Sequence, residues 1–341
     1  MKKKAKKILI IYTGGTIGMM HSHRSKTLVP FDFGAITDQI PELNHLNCKI
    51  DYFAFRSAID SSNVQPEFWV ELARVIEKKY NLYDGFVVLH GTDTMAYTAS
   101  ALSFMLENLS KPVIFTGSQL PLGAIRTDAK RNLITTIQLA ASETVIPEVA
   151  IYFSSQLFRG NRSEKYTSSK FDAFESYNYP VLAETGVHIV VNTDVILKKS
   201  GRKLIVHKTL DSNIALIKIY PGINVEIIDS TLGTKNLKAL VLETFGSGNA
   251  PTDKKFIDVL HQAIKRGVMI VNVSQCGGGA VEQGKYETSI HLKEIGVISG
   301  RDITTEAALA KLMFLFGRNL KLSEVKKIFQ RDIRGEMNKT V

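Results

Sequence analysis

Threonines stand at the ends of two apolar, β-branched segments in the first hundred residues. Ile8–Ile11 (ILII) leads into Tyr12–Gly18 (YTGGTIG), and Phe86–Leu89 (FVVL) leads into His90–Thr94 (HGTDT). Because ligands bind at the carboxyl edge of an open parallel sheet, two such turns predict a pocket where hydroxyls and backbone amides converge. Amide or acyl chemistry suits that pocket better than phosphate binding does, since neither GxxxxGK[ST] nor GxGxxG is present.

Each of these turns also has a structural interpretation. A threonine hydroxyl becomes a useful nucleophile only when a neighbouring base takes its proton, and Thr16 could equally be the N-cap of a helix. Asp93, beside the hydroxyl of Thr92, could hold a substrate ammonium group or cap the helix that starts at Met95. One capped turn is ordinary, whereas two threonine turns in one domain favour a site.

Alternating strand and helix patterns must position these turns. The predicted strands are Ile8–Thr13, Lys49–Phe55, Gly85–His90, Pro112–Gly117 and Glu148–Ser154, and the predicted helices are Pro66–Tyr80, Met95–Leu109 and Thr127–Ser142. The second of these helices has few polar positions, which predicts that it is buried. The alternation predicts an α/β fold with a mostly parallel sheet and helices on both of its faces.

A second, smaller α/β domain is predicted after a break in the periodicity between Thr185 and Asn213. Its strands are Ile214–Tyr220, Lys238–Thr244 and Val268–Val273, and its helices are Asp253–Arg266, Thr304–Phe316 and Ser323–Arg331, with Thr304 and Ser323 as N-caps. We predict an N-terminal domain over residues 1–190, a linker over 191–212 and a C-terminal domain over 213–341.

The composition is that of a soluble globular protein. Hydrophobic residues make up 44% of the 341 residues and charged residues 22%. The net charge of +10 does not indicate a nucleic-acid partner, because five of the 43 basic residues fall in the first seven positions and no basic run is interleaved with aromatic residues. No apolar run reaches the length of a membrane span. Two cysteines, Cys48 and Cys276, fit a reducing compartment, so we expect a cytoplasmic protein.

TGGTIG and HGTDTM resemble the paired signatures of the bacterial-type L-asparaginase family. The segments IDSSNVQP, FTGSQLP, RGNRSEK and GNAPTD are similar to the cytoplasmic (type I) branch, and the similarity extends over nearly the whole chain. The resemblance implies an amidohydrolase that converts L-asparagine to L-aspartate and ammonia, with no cofactor and no metal.

The resemblance also implies the catalytic residues. Thr16 would be the nucleophile. Thr92, Asp93 and Lys165 would form a second cluster, in which Lys165 acts as a base through Thr92 while Asp93 binds the substrate ammonium. A lysine in a desolvated pocket loses its proton more readily. Without the resemblance, Lys165 in NRSEKYTSSK would be interpreted as a surface charge.

Substrate binding is implied for three further residues. Ser61 and Ser62 would bind the α-carboxylate and the amide region, although by themselves they indicate only a turn. Asn249, in GSGNAP, would reach the site of a neighbouring subunit in a homodimer or homotetramer.

The chain departs from the family pattern in two places. Many members carry a tyrosine in a lid after the first motif, but Met19–Phe33 contains none, and Leu28 stands at about the expected position. His21 and His23 in this lid are weak candidates for substrate contact. Glu243 occupies the region where a basic residue of a regulatory pocket would be expected, so allostery is not predicted.

Three alternative functions remain open from the sequence. One is an amidohydrolase that prefers glutamine, since one methylene is typically worth only about 1–3 kcal/mol of discrimination, or a relative that acts on an amidated substrate within a larger complex. A second is a non-catalytic amino-acid sensor with the same fold. The third, a nucleotide-binding protein, is disfavoured by the missing phosphate-loop lysine.

Overall fold

The chain forms two units, each with its own parallel sheet. The computed structural model describes residues 5–21, 28–30, 40–284 and 287–338. The first unit comprises Met1–Ser176 and Pro180–Lys208, and the second comprises Tyr177–Tyr179 and Thr209–Val341. Within the described ranges, the helices all lack either the length or the apolar character needed to cross a bilayer.

The first unit is built on an eight-stranded sheet with the strand order β13-β12-β9-β8-β7-β5-β1-β4. Five strands are parallel: β1 (Lys6–Tyr12), β4 (Cys48–Ala54), β5 (Gly85–Leu89), β7 (Val113–Thr116) and β8 (Val149–Phe153). Three strands at one edge pair in antiparallel fashion: β9 (Gln156–Arg159), β12 (Ala183–Thr185) and β13 (Ile189–Val191). The predicted mostly parallel sheet is therefore confirmed.

Three separate two-stranded antiparallel sheets are also present in the described residues. They are β2 (Met19–His21) with β3 (Leu28–Pro30), β6 (Leu106–Glu107) with β14 (Ile205–Val206), and β10 (Glu164–Lys165) with β11 (Phe174–Glu175). The last pair is a hairpin that becomes important at the candidate site.

Among the described residues, three α-helices accompany the large sheet: α1 (Pro66–Lys79), α2 (Met95–Met105) and α3 (Ala129–Ala140). Proline at the first position of α1 suits a helix start, because that residue needs no intrahelical N–H donor. Helix α2 is buried almost throughout, as predicted from its lack of polar positions. Strands β5, β7 and β8 are buried at every residue, which explains their continuous apolar sequences.

The second unit contains a four-stranded parallel sheet in sequential order. Its strands are β15 (Ile214–Lys218), β16 (Ala239–Thr244), β17 (Met269–Ser274) and β18 (Ile298–Ser299). Its helices are α4 (Val225–Leu232), α5 (Lys254–Lys265), α6 (Glu287–Glu294), α7 (Thr305–Phe316) and α8 (Leu322–Phe329). Leu240, Leu242 and Phe256 belong to its buried core.

One of the two predicted helix caps is correct. The Thr304 hydroxyl accepts a hydrogen bond from the Ala307 N–H, at 3.2 Å, at the start of α7. The prediction of Ser323 as an N-cap is wrong, because α8 already begins at Leu322 and its N-cap is Lys321. There the Glu324 carboxylate accepts from the Lys321 N–H at 3.0 Å, which is the bond that a glutamate three positions after the N-cap makes in a capping box.

Candidate active site

Three turns meet where the neighbouring strands β4, β1 and β5 end. The backbone N–H and the hydroxyl of Thr13 both donate to the Leu89 carbonyl, at 3.0 and 2.9 Å. The Ile59 N–H donates in turn to the Thr13 carbonyl at 2.9 Å. These bonds lock the turn after β1 to the turns that follow β5 and β4.

Glycines allow the turns to touch. Gly15 has a φ of 87°, and a Cβ there would lie 2.5 Å from the Gly91 nitrogen. A Cβ on Gly91 would lie 2.5 Å from the Ser61 Oγ. Any side chain at either glycine would push the turns apart, so the TGGTIG and HGTDT segments are in direct backbone contact. The two turns that the sequence placed at one sheet edge are therefore in contact.

Thr16 opens a short 3₁₀ turn, Thr16–Gly18, that follows this contact. Its N-cap is Gly15, so the hydroxyl of Thr16 does not serve as the cap that the sequence left open. The residue is partly buried. In the described part of the chain, no hydrogen bond engages the Thr16 hydroxyl. The hydroxyl is therefore not committed to a structural bond with those residues.

Thr92, Asp93 and Lys165 form one hydrogen-bonded cluster. The Lys165 ammonium donates to the Thr92 Oγ1 and to the Asp93 Oδ1, each at 2.7 Å. The Lys165 side chain is only 14% exposed, whereas that of Asp93 is 66% exposed. The N-cap of α2 is Thr94, so Asp93 does not hold the capping position that was its alternative interpretation. A mostly buried cation thus holds a hydroxyl while its carboxylate partner faces solvent.

The β10–β11 hairpin brings Lys165 to this cluster from 73 residues along the chain. Lys165 pairs with Phe174, which is buried, and the Tyr166 N–H donates to the Ala173 carbonyl at 3.1 Å. The hairpin therefore fixes the base of the lysine side chain, while the ammonium is fixed by its two acceptors.

Ser61 and Ser62 have different environments in the turn after β4. Ser61 is buried, and its carbonyl accepts from the Thr94 hydroxyl at 2.7 Å. Ser62 is exposed, and its N–H and hydroxyl donate to the Asp60 Oδ1 at 2.9 and 2.8 Å. These two bonds lower the pKa of the Asp60 carboxyl, the backbone N–H more than the hydroxyl, so Asp60 stays ionised at neutral pH.

Family models match both parts of the chain. The model for the N-terminal domain of asparaginases covers residues 7–197, and the model for the glutaminase/asparaginase C-terminal domain covers residues 213–329. The chain belongs to the asparaginase family. It is accordingly a hydrolase of the amidohydrolase class.

Individual relatives indicate which branch of the family the chain resembles. The chain is 43% identical over 339 residues to L-asparaginase 1 of Escherichia coli strain K12, covering 99% of both proteins. The crystal structure of L-asparaginase I from Vibrio cholerae is 43% identical, with a TM-score of 0.89 over 98% of this chain and 100% of the other. The thermostable L-asparaginase from Thermococcus kodakarensis is 32% identical, with a TM-score of 0.91 over the same shares. The predicted resemblance to the type I branch is confirmed.

His90 adjoins the turn of Thr92, although no role was predicted for it. Its Nδ1 lies 2.7 Å from the Gly91 carbonyl oxygen, and its Nε2 lies 3.1 Å from the Thr98 Oγ1. The Trp69 Nε1 donates to the same Thr98 oxygen at 3.0 Å. Because a carbonyl only accepts, Nδ1 carries the proton and Nε2 accepts from Thr98. Burial lowers the pKa of His90 to about 4, so the ring is neutral at physiological pH. The sequence signals were its place directly after a buried strand and at the start of the HGTDT turn.

The remaining predicted residues belong to the second unit, to the lid or to the residues that the structure does not describe. Asn249 is in the second unit, where its backbone bridges that of Phe245 through two hydrogen bonds of 2.9 Å. In the lid, the backbone of β2 pairs with that of β3 with His21 and Leu28 in register, and His23 lies outside the described residues. The Glu243 carboxylate accepts from the Thr305 hydroxyl at 2.6 Å.

Metal binding receives no support from the described ranges. Within them, His, Cys, Asp and Glu side chains do not gather in threes as a metal site would need. The acidic and basic groups of the candidate site are instead paired with each other or with hydroxyl and backbone groups.

Proposed function

We propose that the protein hydrolyses L-asparagine to L-aspartate and ammonia, with Thr16 as the nucleophile. One observation carries the proposal. The Lys165 ammonium lies 2.7 Å from both the Thr92 hydroxyl and the Asp93 carboxylate, and the turn that carries Thr92 and Asp93 contacts the turn of Thr16. Two hydroxyls and one cation–carboxylate pair thus lie on turns at a single sheet edge, which is where small-molecule ligands bind in parallel sheets.

The reaction begins with attack of the Thr16 hydroxyl on the side-chain amide carbon of asparagine. As the C–O bond forms, the hydroxyl proton must leave, and the amide nitrogen must gain a proton to depart as ammonia. The developing oxyanion is stabilised by backbone N–H groups of the two touching turns. Water then hydrolyses the aspartyl ester, releasing L-aspartate and restoring the threonine. Direct attack by an activated water is the alternative within the same site.

Lys165 acts through Thr92 in this scheme. Lys165 acts as the base once its ammonium has released a proton to solvent, and Thr92 lies in hydrogen-bond contact with its nitrogen at 2.7 Å, so a proton can then pass from the reacting centre through the hydroxyl. Asp93 keeps the lysine in place, and its exposed carboxylate binds the α-ammonium group of the substrate.

Family membership supports further binding roles in this proposal. Ser62, exposed at the end of its turn, and Ser61, next to Gly91, hold the α-carboxylate and amide region. Asn249 completes the site of a neighbouring subunit in a homodimer or homotetramer. We further propose a cytoplasmic enzyme with no cofactor. Two alternatives, a preference for glutamine and an amino-acid sensor without catalysis, use the same groups.

Replacement of the nucleophile tests this assignment. Thr16→Val keeps the shape of the side chain but removes the reacting oxygen, so we expect ammonia release from asparagine to fall at least about 1,000-fold. Thr231→Val is the matched control, because among the described residues that hydroxyl donates only to the Ile227 carbonyl in the second unit, at 2.9 Å. Activity near that of the unaltered protein in Thr16→Val would remove Thr16 from the mechanism.

A further inference from the structure

The Asp128 carboxylate is buried near the candidate site but has no part in the chemistry above. It stands at the N-cap position of α3, yet it does not cap the helix. The Thr127 hydroxyl accepts from the Ala129 N–H instead, at 3.0 Å. The Asp128 oxygens accept from the Gln119 N–H at 3.0 and 3.2 Å and from the Leu120 N–H at 3.1 Å. The carboxylate therefore binds backbone N–H groups of the loop after β7 and none of its own helix.

Asn132, in the first turn of α3, also binds the loop after β7. Its Nδ2 donates to the Gly117 carbonyl at 3.0 Å and to the Asp128 Oδ2 at 3.3 Å. Residues 117–120, called the β7 loop below, are thus bound at both ends by two side chains of one rigid helix. Both side chains are buried, so water competes little for these bonds.

The β7 loop contacts the turn that carries Thr92. Strand β7 is the neighbour of β5, and the His90 N–H donates to the Thr116 carbonyl at 3.0 Å. A Cβ on Gly117 would lie 2.6 Å from the His90 carbonyl oxygen and 3.3 Å from the Thr92 Cγ2. The loop therefore forms the wall against which the methyl group of Thr92 rests.

The same loop is tied to the hairpin that carries Lys165. The Gln119 side-chain amide donates to the Lys170 carbonyl at 2.8 Å, within the turn that joins β10 to β11. Gln119 is also the residue whose backbone N–H is bound by both Asp128 oxygens. One residue thus links Asp128 to the hairpin.

We propose that Asp128 is a positioning residue for catalysis, which holds the β7 loop so that Thr92 and Lys165 keep their contact. This inference rests on the proposed function, since it concerns the same hydroxyl and amine. The physical reason is geometric: a misplacement of about 1 Å between catalytic groups can cost about 100-fold in rate. Asp128→Asn would turn one acceptor oxygen into an NH₂ group that faces a backbone N–H.

Two variants and one control test the proposal through kcat, KM and the melting temperature. For Asp128→Asn we expect kcat to fall about 10- to 100-fold, while KM for asparagine changes less than about threefold. Gln119→Met removes only the tether to Lys170, and we expect it to lower kcat about fivefold with an unchanged melting temperature. The control is Asp253→Asn, since that carboxylate also accepts from two backbone N–H groups, of Lys255 and Phe256, but caps α5 in the second unit. It should lower the melting temperature without lowering kcat.

A double variant separates positioning from general stability. If Asp128 acts through Lys165, then Asp128→Asn should have no further effect on kcat in a Lys165→Met background. Additive losses in the double variant would overturn the proposal, and so would an unaltered kcat in Asp128→Asn. Should Asp128→Asn fail to fold, an unaltered kcat in Gln119→Met would overturn it instead. An unaltered chain that releases no ammonia would refute the proposed function itself, whereas an active chain with unaffected variants would refute this inference alone.

Discussion

At the scale of single residues, the site depends on a cation and a carboxylate that are unequally buried. The Lys165 side chain is 14% exposed and that of Asp93 is 66% exposed. Removing the aspartate would leave a nearly buried ammonium without its charged partner, which is costly. Removing the lysine leaves a carboxylate that water can solvate. A change at Lys165 therefore reports on chemistry with little disturbance of the fold.

The first prediction at this scale concerns Lys165→Met. Because the variant keeps the apolar part of the side chain but loses the amine, we expect kcat to fall about 100- to 10,000-fold, as for loss of a general base. KM for asparagine should change less than about threefold, since the Asp93 carboxylate remains. Steady-state ammonia release measures both constants.

Lys170→Met is the control for that measurement. Lys170 lies on the same hairpin, with its ammonium 5.9 Å from the centre of the Tyr166 ring. It should retain the kcat of the unaltered protein, because its backbone carbonyl, not its side chain, meets Gln119. A kcat near normal in Lys165→Met would exclude Lys165 as the base.

At the scale of elements, catalysis requires strand-end turns that touch. Gly15 and Gly91 bring the turns after β1 and β5 together, and Gly91 in turn meets Ser61 after β4. The neutral His90 ring reinforces the second turn by donating to the Gly91 carbonyl next to Thr92. The parallel sheet supplies the common edge, and glycine supplies the close approach.

Gly15→Ala tests this close approach. We expect it to abolish most activity, because its Cβ would meet the Gly91 nitrogen at 2.5 Å and displace the turn of Thr16. Gly222→Ala is a control matched in backbone conformation, since Gly222 also has a φ of 87° but has no atom within 4 Å of its Cβ among the described residues. Both variants carry a backbone strain of about 1 kcal/mol, so equal losses of activity would contradict the argument.

His90 makes a prediction about pH. Its pKa is about 4 in the folded protein and 6.5 in the unfolded chain. As the pH falls below 6.5, the unfolded state gains the proton first, so stability declines until the pH reaches about 4. At pH 5 the loss from this residue is about 2 kcal/mol. Urea unfolding at pH 7.5 and pH 5 should show a smaller difference for His90→Gln than for the unaltered chain. Equal differences would show that His90 does not titrate in this way.

At the scale of the whole molecule, sequence patterns predicted eight of the nine parallel strands of the described residues to within two residues at either end, and missed the two-residue β18. Buried strands such as Gly85–Leu89 and Val149–Phe153 are continuous apolar runs, and such runs are easily recognised. The antiparallel strands β9, β12 and β13 and the helices α4 and α6 were missed, because segments of three to eight residues carry little periodicity.

The candidate site was predictable only in part. Two threonine turns at neighbouring strand ends follow from the sequence, but the meeting of Lys165 with Thr92 does not, since 73 residues separate them and a two-residue strand sets the geometry. No role was predicted for Asp60, His90 or Asp128, for a similar reason. Their partners are backbone groups of loops, whose positions no local pattern encodes.

Ammonia release by the unaltered protein tests the central claim most directly. Release from L-asparagine and from L-glutamine should be compared side by side over a range of concentrations at neutral pH, with Thr16→Val measured in parallel. We predict release from asparagine with a higher kcat/KM than from glutamine, and none above background from Thr16→Val. If well-folded protein released no ammonia from either substrate, that result would contradict the account and favour an amino-acid sensor. A higher kcat/KM for glutamine would contradict the assigned substrate.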